Sequence, residues 1–162
     1  MKTWIAGLIL AAAIAAPAHA DGGLTDEQVT GALAAAGFSP ETGSEDTGTY
    51  WTGMITTPGG SEIAFYLRPY DCSEAPKRCN MFNIFANFDL DDEVSDEQMV
   101  RVNSYNDTYM RGRAFARSEE VGVDYVVIVD GDLGPSYFER RIGEFPEIVG
   151  DFIDTMNGDA DE

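Results

Sequence analysis

The sequence predicts an α+β fold: a helix, a three-stranded antiparallel meander, a second helix, a β-hairpin and a C-terminal helix. Three observations carry that expectation. Thr25-Asp26-Glu27-Gln28 and Ser95-Asp96-Glu97-Gln98 are capping boxes, each with a hydroxyl residue at the N-cap and a glutamine three positions later. Two stretches alternate with the period of a pleated strand, Ile63, Phe65 and Leu67 against Ala64, Tyr66 and Arg68, then Phe82, Ile84 and Ala86 against Met81, Asn83, Phe85 and Asn87. The stretch from Phe138 to Ile153 returns to helical spacing.

The elements follow in order. Leu24 can staple onto Val29 across the first capping box, and Gly37 ends that helix. Ser39 to Gly48 is polar and reads as a loop. Tyr50 to Ile55 is the first strand, and Thr57-Pro58-Gly59-Gly60 is a tight turn into the second, about Glu62 to Leu67. The third strand spans about Asn80 to Phe88, and short connections between the three favour a meander. Asp89 to Glu93 is an acidic linker into the second helix, where Met99, Val102 and Asn106 share a face and which Gly112 closes. Arg113 to Ser118 and Tyr125 to Val129 form the hairpin, across a turn at Glu119 to Gly122. The last helix runs from about Tyr137 to Met156, with Pro146 kinking or dividing it, and Asn157 to Glu162 is an acidic tail. Helix and strand do not alternate regularly, as they do in a nucleotide-binding βαβ fold.

The N-terminus predicts the compartment. Lys2, the apolar run Trp4 to Ala16 and the small-residue site Ala18-His19-Ala20 form a secretory signal peptide, cut after Ala20. The run is too short to span a bilayer, so the expected product is a free periplasmic or secreted domain of residues 21–162. Cleavage removes Lys2 and the lone histidine, leaving nine basic residues against 29 acidic ones, a formal charge of −20. Such a surface repels nucleic acid and anionic lipid, which argues against both as partners and against membrane insertion. Without histidine the mature chain lacks the usual general base and the commonest metal ligand. No nucleophile elbow, Ser-x-x-Lys or Gly-rich phosphate loop is present, so neither an enzyme nor a cofactor is expected.

Cys72 and Cys79 read as a disulfide clamping a loop between two strands, since an exported chain favours oxidation and six intervening residues do not match the spacing of thiol oxidoreductases. Asn103 and Asn106, three apart on a helix, could jointly hold a ligand or peptide backbone, or cap local backbone groups. Arg111, Arg113 and Arg117 are candidate contacts for a carboxylate partner, or partners for the chain's own acids. Asp89, Asp91, Asp92 and Glu93 are weak calcium candidates, lacking the glycine and distal glutamate of an EF-hand loop. No metal is therefore expected.

Phe88-Asp89-Leu90-Asp91-Asp92, Val102-Asn103-Ser104-Tyr105-Asn106 and Gly112-Arg113-Ala114-Phe115, together with the spacing from Asn106 to Gly112, resemble the YbjN-like family of bacterial sensory transduction regulators. The resemblance spans about Leu24 to Ile153, with Tyr105 where many relatives carry tryptophan between the two asparagines. It implies a type III secretion chaperone-like fold, often dimeric, that presents a face to a partner peptide, and it implies no catalytic residues. The expected function is an exported, non-catalytic binding or regulatory module, a homodimer with a protein or peptide partner in the envelope. The alternatives are an acidic envelope protein responsive to divalent cations, motivated by the charge and the Asp-rich loops, and a carboxylate-dependent hydrolase, whose signature would be a concave pocket joining carboxylates of perturbed pKa.

Overall fold

The computed structural model describes residues 22–45 and 48–158. The expected signal peptide and the end of the acidic tail, from residue 159, lie outside these residues. Ten elements follow one another: α1 (Asp26–Ala35), β1 (Glu41–Glu45), β2 (Gly48–Thr56), β3 (Glu62–Cys72), β4 (Cys79–Asp89), α2 (Asp96–Thr108), β5 (Arg113–Arg117), β6 (Glu120–Ile128), α3 (Pro135–Ile142) and α4 (Phe145–Asn157). The strands make one antiparallel sheet in the order β1-β2-β3-β4-β6-β5. Meander and hairpin are thus fused through the β4–β6 pairing, and the fold is α+β as expected.

Local chemistry accounts for the elements. Both capping boxes form: Thr25 and Ser95 accept from the backbone N–H groups of Gln28 and Gln98, whose side chains accept from the N-cap backbone in return. Leu24 and Val29 are both buried, and Leu24 bridges to Cys79 through backbone hydrogen bonds of 2.9 Å in each direction. Along β3 and β4 the expected parity holds. Phe65, Leu67, Phe82, Ile84 and Ala86 are fully buried under the helices with Trp51, Val123 and Phe138. All four helices lie on that one side, and α1 packs with α3 as α2 packs with α4.

Three local expectations are corrected. Glu41 to Glu45, read as loop, is an edge strand; no position in it is buried, so no apolar alternation marks it, and charged residues are what an exposed edge tolerates. The hairpin turn is only Ser118 and Glu119, because β6 resumes at Glu120. Gly122 belongs to the strand, where a Cβ would come within 2.5 Å of both the Ala86 carbonyl and the Phe115 ring. In α2 the buried face is Val102 and Tyr105, whereas Met99 is 43 % exposed. The C-terminal helix is divided into two, one of the two outcomes expected of Pro146, which sits in the first turn of α4, where its missing N–H costs no hydrogen bond.

The disulfide joins Cys72 to Cys79, which are directly opposed across the β3–β4 hairpin. Because Cys72 and Cys79 are already cross-strand neighbours, replacing both with serine removes the loop constraint without moving the strands. The expected result is a loss of about 2.5 kcal/mol of stability, from the loop-entropy relation, with the far-ultraviolet circular dichroism unchanged. Chemical denaturation of the two forms measures it.

Candidate functional site

The helices cover one side of the sheet and leave the other to solvent. Strand parity sends Met54, Tyr66, Tyr70, Val126 and Ile128 to this outer face, where they are 42–57 % exposed. These are five of the nine large hydrophobic side chains exposed among the described residues, gathered on one surface rather than scattered. At its centre Tyr66 stacks on Phe85 at 5.6 Å between ring centroids, and the Arg68 guanidinium lies 5.8 Å from the same ring. Beside them Phe115 crosses over Gly122, with the Arg117 guanidinium 5.1 Å from its centroid. A depression of about 130 Å³ opens between these groups, lined also by Tyr70, Asn83, Asn87 and Asp124.

The candidates on α2 and β5 have distinct settings. The Asn106 amide is engaged at both ends: Oδ1 accepts from the Ala114 N–H at 2.8 Å, and Nδ2 donates to the Ala114 carbonyl at 3.1 Å. It therefore ties α2 to β5 and cannot act jointly with Asn103, which is exposed. Arg113 donates to the Asp124 carboxylate at 2.5 Å, and that carboxylate is only 9 % exposed, so this arginine neutralises a buried acid. Arg117 has only a long contact of 3.9 Å to Glu120. Arg111 lies elsewhere, 3.5 Å from both Glu144 and Glu147.

Arg111 borders a second concavity, a cleft of about 330 Å³ between the β2–β3 turn and α4, with Glu147, Asp151 and Asp154 on its helical wall. Partial burial pushes the Asp151 carboxyl above its ordinary range; Arg111 opposes the shift, and Glu147 and Asp154 add to it. Below the cleft Tyr105 is raised well above an ordinary phenol, first by burial and then by Asp151, and its hydroxyl donates to the Arg111 carbonyl at 3.2 Å. Asp89, Asp91, Asp92 and Glu93 do not converge, and no group of three or more potential metal-ligating side chains forms among the described residues. No described helix is long and apolar enough to cross a membrane.

Two residues of the outer depression, Arg68 and Asn83, were not among the sequence candidates. They are 15 positions apart and meet because the β3–β4 register sets them opposite each other. An antiparallel sheet with a helical layer on one side and an aromatic, arginine-bearing surface on the other defines a two-layer α+β domain with one open sheet face. The chain belongs to the YbjN family, described as "Putative bacterial sensory transduction regulator", whose model matches residues 25–157. No curated protein matches the sequence.

Two outcomes follow from these contacts. Asn106→Ala leaves the backbone groups of Ala114 without their partner and is expected to cost on the order of 1–3 kcal/mol, read as a lower denaturation midpoint. Asp151 has a raised folded pKa, so its ionisation opposes folding, and the penalty is present once pH exceeds the unfolded value and absent below it. Asp151→Asn should therefore raise the melting temperature at pH 7 and lose that advantage as pH falls below about 4, near the ordinary carboxylate pKa.

Proposed function

We propose that the chain is an exported, non-catalytic binding and regulatory module that takes a protein or peptide partner in the cell envelope on the outer face of its sheet. The reading adds a cleavage after Ala20 that frees the domain into the periplasm or the medium, and a homodimeric state. The single observation that carries it is the concentration of exposed apolar and aromatic side chains on the sheet face opposite the helices. A face of this kind is a recognised mark of an interaction surface. Membership of a family described as regulatory supports the same class.

The test is affinity capture of envelope proteins on the oxidised mature chain, beside a Val126→Asp, Ile128→Asp variant and an equally acidic control protein. A partner retained at moderate salt by the native chain alone is the expected result. Equal retention by the variant, or nothing beyond the control, would sink the reading.

A carboxylate-dependent hydrolase is the second reading, favoured by the Arg111 cleft with its three acids and raised Asp151. It requires turnover of an envelope polymer that Asp151→Asn abolishes without loss of stability.

A further inference from the structure

We propose that the depression beside Phe85 is the recognition point of the outer face, and that it takes a side-chain carboxylate together with a neighbouring peptide N–H from an acidic, extended segment of the partner. The inference rests on the binding-module reading and adds the chemistry of the occupant.

Charge is the first ground. The chain carries a formal charge of −19, yet two of its few cations, Arg68 and Arg117, line this depression. Neither is firmly held by an acid of its own. Arg68 is 3.6 Å from Glu45 with both side chains about half exposed, and Arg117 is 3.9 Å from Glu120 with its own side chain mostly exposed. Exposed pairs at such distances contribute little, so exchanging either acid for one brought by a ligand costs little. The one buried acid here, Asp124, is already neutralised by Arg113 and does not repel an incoming carboxylate.

Geometry is the second ground. Each guanidinium rests against an aromatic ring, Arg68 on Phe85 and Arg117 on Phe115. A guanidinium held over a ring face leaves N–H groups in its own plane free to meet a carboxylate.

The third ground decides what accompanies the anion. Asn83, on the same wall, holds a fully buried Oδ1 with no hydrogen-bond partner. A buried acceptor left unpaired costs free energy, and a carboxylate cannot satisfy it because a carboxylate has no proton to give. A ligand that answers both demands brings an acceptor anion and an N–H donor side by side, as a peptide does at an acidic residue. The aliphatic surroundings, Val126, Ile128 and Met54, favour a polypeptide over an anionic sugar polymer, which has no side chains to bury there.

The experiment uses the oxidised mature chain and two fluorescent, blocked pentapeptides, Val-Glu-Val-Glu-Val and its glutamine twin, in anisotropy titrations at moderate salt. The glutamate peptide is expected to bind at least tenfold more tightly than the twin. Arg68→Gln with Arg117→Gln should erase that difference, and Asn83→Leu should weaken the glutamate peptide with its preference over the twin retained. Circular dichroism and melting curves establish that the variants fold. Equal binding of the two peptides, or a preference that survives the double arginine substitution, overturns the proposal. So does full competition by an oligouronate at concentrations where the glutamate peptide is displaced, which would assign the site to an anionic glycan. If neither peptide binds while Val126→Asp, Ile128→Asp still abolishes partner capture, the occupant is wrong and the binding-face reading stands.

Discussion

The structure depends on the register of β4. This strand pairs with β3 on one side and β6 on the other, and every antiparallel partner is set by which of its residues point inward. Side chains alternate with period two, so a slip of one residue would bring Met81, Asn83 and Phe85 into the core and expose Phe82, Ile84 and Ala86. Buried partners on both neighbouring strands hold it in place: Leu67 and Tyr125 lie opposite Ile84, Val127 opposite Phe82 and Val123 opposite Ala86. The same register that buries the core aligns Arg68, Asn83 and Val126 in one row on the outer face. Core and candidate site are two sides of a single pairing decision.

The second helix packs against α4 and the β5 edge of the sheet. Tyr105 is fully buried against Phe152 and Tyr109, and its hydroxyl reaches the backbone of Arg111 and Ile148. One residue later Asn106 holds Ala114. Between them the chain reverses at Gly112, which takes a φ of +76° and approaches so closely that a Cβ would lie 2.7 Å from Ile148 Cγ2. Asn106 and Gly112 are therefore spaced as they are because helix, reversal and edge strand must meet within seven residues, and their role is architectural.

Much of this was legible in the sequence, for physical reasons that differ by element. Capping boxes report a hydrogen-bond pattern made within four residues, so both helix starts could be read directly. The alternation in β3 and β4 reports a buried side and an open side, so it could be read too. Strand β1 left no such trace, because at an uncovered edge neither of its sides meets the core. The arginines of β5 form a cluster along the chain, whereas Arg68 and Asn83 are isolated in sequence and unite only across the sheet. A signal for them did exist. Once Cys72 and Cys79 are taken as facing each other, stepping back along one strand and forward along the other sets Arg68 opposite Asn83.

The double hydrogen bond from Asn106 has a consequence for assembly. Both groups of Ala114 point away from β6, and a primary amide bonded to N–H and carbonyl alike imitates the rung that another strand would offer. One margin of the sheet is thereby interrupted at the place where an added strand would begin to pair, while the β1 margin stays open. Sheet extension needs an unbroken row of backbone donors and acceptors along a margin, and the Asn106 amide takes one rung of that row out of play.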